Sequence, residues 1–269
     1  MWGSPHNSIM KHILKTILYI CLNAVSACLP KERAAILLYH DVGGSDLYLT
    51  VPSKKFEAQM KYLKEGGYSI MSLSTLVALL REGQSPQPKT VVLTFDDAYT
   101  SHLSVVLPIL EKYGFQGTFF VATGSMGSTL NNSENKPQTI LNADALQKLE
   151  ASPCADIQPH SLSHREFTTL GREEVRKEIE ESRALLEVLL NKKCTFFAYP
   201  RGAQDAVSRN VVREAGFVAA VSVMEGMAGL SSDLYVLPRN TIHGHVSHAE
   251  FKGKLTHSSG IMSRLRAFV

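Results

Sequence analysis

The 269 residues predict an α/β fold, a single distorted (β/α) barrel. Short apolar, β-branched runs alternate with stretches of helical periodicity, the rhythm of parallel βαβ units with right-handed crossovers. Apolar residues make up 44% of the chain, enough for one sizeable core, and barrels of about 200–250 residues form one domain. The polar residues of chemical interest fall just past predicted strands, where barrel active sites are built.

The N-terminus reads differently from the rest. Lys11, His12 and Lys15 precede the apolar run Ile17–Val25 and the small residues Ser26-Ala27-Cys28, the grammar of a secretory signal. The run is shorter than the about 20 residues of a spanning helix. Residues 1–9 sit ahead of the basic cluster, so Met10 is a candidate start. Residues 1–29 are therefore expected to be a signal peptide, a lipoprotein signal or a membrane anchor, with the folded domain over 30–269. Val25-Ser26-Ala27-Cys28 resembles a bacterial lipobox, which makes Cys28 a candidate for lipidation. Export to the cell envelope follows as the expectation, whether to periplasm, outer membrane or medium. Cys154 and Cys194 then remain in the domain, either as buried thiols or, in an oxidising compartment, as a pair.

Ala34–Tyr39 reads as a buried strand ending in His40-Asp41, with a loop at Gly43-Gly44. Phe56, Met60, Tyr62 and Leu63 mark a helix stopped by Gly66-Gly67. A short strand over Tyr68–Met71 leads to a helix capped by Ser74 and closed by Gly83 and Pro86. Val91–Asp97 is an apolar strand ending in two carboxylates. A helix over Ser101–Tyr113, with Pro108 as a possible kink, precedes the strand Thr118–Val121. Gly124–Pro137 is a polar surface loop. A helix from Asn142, a strand near Ile157, the His160–His164 loop and a long amphipathic helix Arg172–Leu190 follow. Strands at Thr195–Ala198, Phe217–Val223, Leu234–Leu237 and Thr241-Ile242 and helices at Ala206–Ala215 and after Ser247 complete the chain. The net charge of +3 is spread without a basic run, which argues against a nucleic-acid partner.

Two adjacent like charges at a strand end cost free energy unless a cation sits beside them. Asp97, His160 and His164 form a two-His, one-carboxylate set, because residues i and i+4 share one side of a turn. Three protein ligands leave positions open for water and substrate. Zn2+ suits the donors best, and other divalent ions accept them. Asp96 is then placed as general base, with Arg239 the candidate partner that keeps it ionised. An amine leaving group also needs an acid; His40 is the first candidate, His243 or His245 the fallback.

Thr94-Phe95-Asp96-Asp97-Ala98-Tyr99, His160–His164 and Phe197-Ala198-Tyr199-Pro200-Arg201-Gly202 resemble, in order, three motifs of the polysaccharide deacetylases, carbohydrate esterase family four with its NodB-homology domain. The resemblance covers the chain from about Ala34 to the C-terminal helix. It implies metal-dependent removal of acetyl from N-acetylated polysaccharide, Asp96 as base and Asp97, His160 and His164 as ligands. It also implies an oxyanion held by the Arg201 N–H and substrate beside Tyr199 and Pro200. Leu38–Val42 and Leu237-Pro238-Arg239 look like the branch acting on poly-β-1,6-N-acetylglucosamine of biofilm matrix, in which the His at the first strand end is the acid. Three positions depart from the pattern: Ala98 stands for the usual Gly, Ala198 for an Arg, and Arg201 for an aromatic. Ala198 and Arg201 keep open a carbohydrate-binding or matrix-organising protein that has lost catalysis, and the cleft-shaping loops such as Gly124–Pro137 keep open a deacetylase of peptidoglycan, chitin-like glycans or O-acetyl esters.

Overall fold

A computed structural model describes residues 15–24, 32–44, 47–131 and 137–266. The lipobox-like stretch with Cys28, and Met10, lie outside the described residues. The strands are β1 (Ala34–Tyr39), β2 (Val42–Gly43), β3 (Val51–Pro52), β4 (Ser69–Ile70), β5 (Thr90–Asp96), β6 (Gly117–Val121), β7 (Thr129–Asn131), β8 (Pro137–Thr139), β9 (Ala155–Pro159), β10 (Phe196–Ala198), β11 (Ala219–Val221) and β12 (Asn240–Thr241). The helices are α1 (15–24), α2 (Ser53–Glu65), α3 (Leu73–Arg81), α4 (Leu107–Tyr113), α5 (Ala143–Glu150), α6 (Arg172–Leu190), α7 (Ala206–Glu214), α8 (His248–Lys254) and α9 (Ser258–Arg266).

Parallel pairing runs β12-β1-β5-β6-β9, and β10 pairs with β11 in parallel. A parallel bridge from Val221 to Leu237 carries the order on from β11 towards β12. The strands thus curl into a nearly closed barrel. Between β9 and β10 no backbone ladder is present among the described residues, and side chains make the join. Gln158, at 2% exposure, accepts the N–H groups of Thr195 (2.9 Å) and Phe196 (3.0 Å). His160 Nδ1 meets the Ala198 carbonyl at 2.8 Å. Without these acceptors, two N–H groups at the seam would go unpaired, a costly condition for buried backbone.

Strand alternation divides the apolar residues into two cores. Ala35, Leu37, Tyr39, Leu93, Phe95 and Phe119 face outward under the helices. Ala34, Ile36, Val92, Phe120, Ala198 and Val221 fill the barrel, joined by Leu73, Leu76 and Val77 of α3. Along the inner face of β5 the series Val92, Thr94, Asp96 turns from apolar to charged towards the carboxyl end. All three are buried, so the charge at the top needs a partner inside the protein.

Several elements differ from the sequence expectation. Ser72, not Ser74, caps α3, its Oγ accepting from Thr75 N at 3.0 Å. The segment before α4 is a π-helical turn over His102–Val106, and Pro108 sits in the first turn of α4, where a missing N–H is tolerated. Part of the polar loop after Gly124 forms the antiparallel hairpin β7–β8. Leu234–Val236 is a 3-10 turn rather than a strand, because the Asp233 side chain accepts Tyr235 N and starts a helical turn. Cys154 and Cys194 are free thiols. Helix α1 lies against α8: Tyr19 is fully buried, Asn23 donates to Ala249 O (3.1 Å), and Lys15 pairs with Glu250 at 2.7 Å. Among the described residues no helix is long and apolar enough to cross a membrane.

Candidate active site

Three strand ends meet at the mouth of the barrel. Asp96 closes β5, His40 follows β1, and the His160–His164 loop follows β9. They line one cleft of about 550 Å³, together with Tyr48, Tyr99 and Arg201.

Asp96 is 2% exposed and is clamped by Arg239, which is fully buried. The pair is bidentate, Nη1–Oδ1 and Nη2–Oδ2 both at 2.7 Å. Arg239 is itself fixed: its Nε donates to Ser222 O at 2.8 Å, and the guanidinium lies 5.5 Å from the centre of the Phe120 ring. Burial alone would push the Asp96 carboxyl up; the charges of Arg239, His160 and His40 and the Arg239 hydrogen bond outweigh it and hold it well below the ordinary carboxylate range. Asp96 is therefore ionised. Ala198 stands where the related motif carries Arg, and a guanidinium reaches Asp96 from residue 239 instead.

Asp97, His160 and His164 offer ligand atoms that all lie within 4.8 Å of one another. His160 Nε2 is 3.8 Å and His164 Nε2 3.5 Å from Asp97 Oδ1. These separations are long for direct hydrogen bonds and short enough for shared ligation of one ion. Since the Ala198 carbonyl can only accept, His160 carries its proton on Nδ1 and leaves the Nε2 lone pair between the two carboxylates, 3.7 Å from Asp96 Oδ2 and 3.8 Å from Asp97 Oδ1. Asp97 Oδ2 is held by the Tyr99 hydroxyl at 3.1 Å, which leaves Oδ1 for the cation. Two nitrogens and one carboxylate oxygen fit a divalent metal with open positions.

The backbone here is unusual. Asp97, Ala98, Ser161, His164 and Arg201 all have left-handed φ, between 54° and 73°. Ala98 thus occupies a conformation in which glycine would be at ease. Ser161 Oγ accepts the His164 N–H at 3.0 Å. From outside, Glu178 of α6 accepts Leu162 N (3.1 Å) and Ser163 N (2.8 Å) on one oxygen and the Ser163 hydroxyl on the other. Asp41 ties three segments together through Thr50 (2.8 Å), Ser101 (2.7 Å) and Gln138 (3.3 Å).

The sequence-named residues divide accordingly. Asp96, Asp97, His40, His160, His164, Arg239 and Arg201 come together at the barrel mouth. Arg201 reaches the rim, its side chain 70% exposed and 3.4 Å from Glu166. Tyr199 does not contact the cleft: it is fully buried, packed against Phe167 and Phe197, with its hydroxyl on Tyr235 O at 3.1 Å. Pro200 is buried in the 3-10 turn that follows. Their placement beside substrate is therefore corrected; a strand's alternation sends Tyr199 outward into the helical layer. His243 is 8% exposed and stacked under Tyr48. Burial, with nearby Lys15, Lys254, His245 and Lys55, pushes its imidazole down to about 3, a poor setting for a proton donor and a reason to prefer His40. Sequence reasoning missed Glu178, Tyr99, Tyr48 and Asp41. For Glu178 the signal was present: it falls in the buried stripe Val175, Glu178, Ile179, Ser182, Leu186 of an otherwise solvated helix.

Comparison with known proteins matches the polysaccharide deacetylase family profile to residues 83–220, just over half of the chain. The chain is 28% identical over 229 residues to the YxkH protein of Bacillus subtilis (strain 168), itself assigned to the polysaccharide deacetylases, covering 84% of this chain and 78% of that one. It is 24% identical over 198 residues to the poly-beta-1,6-N-acetyl-D-glucosamine N-deacetylase of Staphylococcus aureus (strain MSSA476), covering 71% and 67%. Among solved structures, the fold is similar to that of the Streptococcus pyogenes deacetylase PplD, with TM-score 0.73, 24% identity and coverage of 83% and 98%. It is also similar to IcaB from Ammonifex degensii, with TM-score 0.72, 19% identity and coverage of 85% and 97%.

Proposed function

Because this chain belongs to the polysaccharide deacetylase family, whose reaction is hydrolysis of an amide, we propose that it removes N-acetyl groups from a cell-envelope or matrix polysaccharide, and that poly-β-1,6-N-acetylglucosamine is its substrate. The observation that carries the reading is the buried, bidentate Arg239–Asp96 pair set beside Asp97, His160 and His164. A binding protein has no use for an ionised carboxylate held at that point. Of the two departures behind the binding-only alternative, that at Ala198 is offset by Arg239, and that at Arg201 leaves the backbone N–H in place.

Asp97, His160 and His164 would hold the divalent ion, and Zn2+ suits that donor set. Bound there, it supplies Lewis acidity that makes water a competent nucleophile near neutral pH and polarises the acetyl carbonyl. Asp96 takes the proton of the attacking water. Its depressed pKa makes it a weak base, which suffices for an acidified water, while Arg239 keeps it aimed and ionised. The Arg201 N–H, on the turn that enters the cleft, holds the developing oxyanion. His40, which lines the same cleft, protonates the departing amine. Positioned proton transfer of this kind contributes about 10²–10⁴-fold.

The substrate assignment is supported by the likeness to the Staphylococcus aureus enzyme. We further propose that the chain acts outside the cytoplasm, guided by its N-terminal segment, where such a polymer is met. The test is acetate release from poly-β-1,6-N-acetylglucosamine, before and after chelation. Release that a chelator stops and Zn2+ restores is expected. Release from peptidoglycan or chitin oligomers instead would move the substrate and keep the chemistry.

A further inference from the structure

Tyr48 is a large aromatic side chain, 52% exposed, at the edge of the cleft that holds Asp96, Asp97 and His164. It sits in the loop between β2 and β3 and belongs to neither apolar core. Its ring is stacked on His243, with centroids 4.3 Å apart and planes at 22°, and lies 5.8 Å from His245. The two imidazoles are 6.2 Å from each other, too close to flank the tyrosine from opposite faces. His245 therefore sits towards the ring's edge rather than over the face opposite His243.

The platform is held in place by its backbone. Gly244 N donates to Tyr48 O at 3.1 Å, Thr50 N to Leu47 O at 3.0 Å, and Lys55 Nζ to Gly244 O at 2.7 Å. At Gly244 a Cβ would stand 2.6 Å from Thr50 O, so glycine permits the approach of the two loops. A pre-ordered ring loses little freedom on binding. Ligand clefts combine aromatic surfaces with a few placed polar groups, and the electron-rich face of a phenol attracts the C–H-bearing face of a pyranose.

We propose that Tyr48 is a sugar-stacking subsite, binding a pyranose ring of the polymer next to the unit whose acetyl group is cut. The site thereby selects a chain over a single sugar. This rests on the deacetylase reading above and adds the recognition of substrate length to it. Tyr48 takes no part in proton transfer.

The test measures acetate release from a pentamer of β-1,6-linked N-acetylglucosamine by the wild type, Tyr48→Phe and Tyr48→Ala, with thermal midpoint and Zn2+ binding recorded for each. Tyr48→Ala is expected to raise KM by roughly three- to tenfold with kcat kept, and Tyr48→Phe to behave as wild type. An unchanged KM in Tyr48→Ala overturns the proposal, as does a loss confined to kcat, which would mark a structural role. Should the wild type release no acetate, the deacetylase reading is what fails. Pentamer binding measured by calorimetry then still reads the platform: weaker binding in Tyr48→Ala supports it, equal binding ends it.

Discussion

Glu178 holds the His160–His164 loop by accepting two backbone N–H groups and a hydroxyl on a carboxylate that is 6% exposed. Residues behind metal ligands commonly set affinity about 10–100-fold. Glu178→Ala should therefore weaken Zn2+ binding by about tenfold or more, read by calorimetry on metal-free protein, whereas Glu178→Gln keeps an acceptor and most of the affinity. Equal affinity in Glu178→Ala would contradict this. The residues assigned to the proposed chemistry were legible because they are chemically rare and most fall at strand ends. Glu178 was overlooked although its signal is there, since one glutamate among many on α6 stands out only once the helix phase is followed. Tyr199 misled for the related reason that motif membership does not reveal which face of a strand a side chain occupies. At Ala98 the departure from glycine meets a left-handed backbone, φ 54°, so the mouth of the barrel stores strain there.

At the scale of elements, the strands were readable from buried β-branched runs, and their order follows from right-handed crossovers. The seam between β9 and β10 was invisible, because it depends on a glutamine meeting N–H groups 37 and 38 residues away. Gln158→Leu keeps much of the volume and leaves both N–H groups unpaired, at about 1–3 kcal/mol each. The variant should lose about 2–5 kcal/mol in urea unfolding; a loss under about 1 kcal/mol would mean that the seam is held by other contacts. The turn Leu234–Val236 was misread as a strand because its apolar run is the same for either, and the Asp233 cap decides between them.

Over the whole molecule, polarity is graded along the barrel axis, with α3 packed against the apolar interior and charged groups at the carboxyl mouth. This arrangement ties stability to pH. His243 is held down to about 3 against an ordinary 6.5, so the unfolded chain takes up its proton at higher pH than the folded one. The contribution is fully present above about pH 6.5 and is lost as pH falls from there towards about 3. His102 and His248 are also lowered, burial being the first cause for each. The thermal midpoint should fall between pH 7 and 4, and fall less in His243→Phe; parallel curves for the two proteins would contradict the assignment. The central claim is that Asp96 is the base beside a cation held by Asp97, His160 and His164. Its most direct test is Asp96→Asn, assayed side by side for Zn2+ affinity and for acetate release. Zn2+ should still bind while release falls by at least about 10²-fold. Acetate release at the wild-type rate would contradict the account.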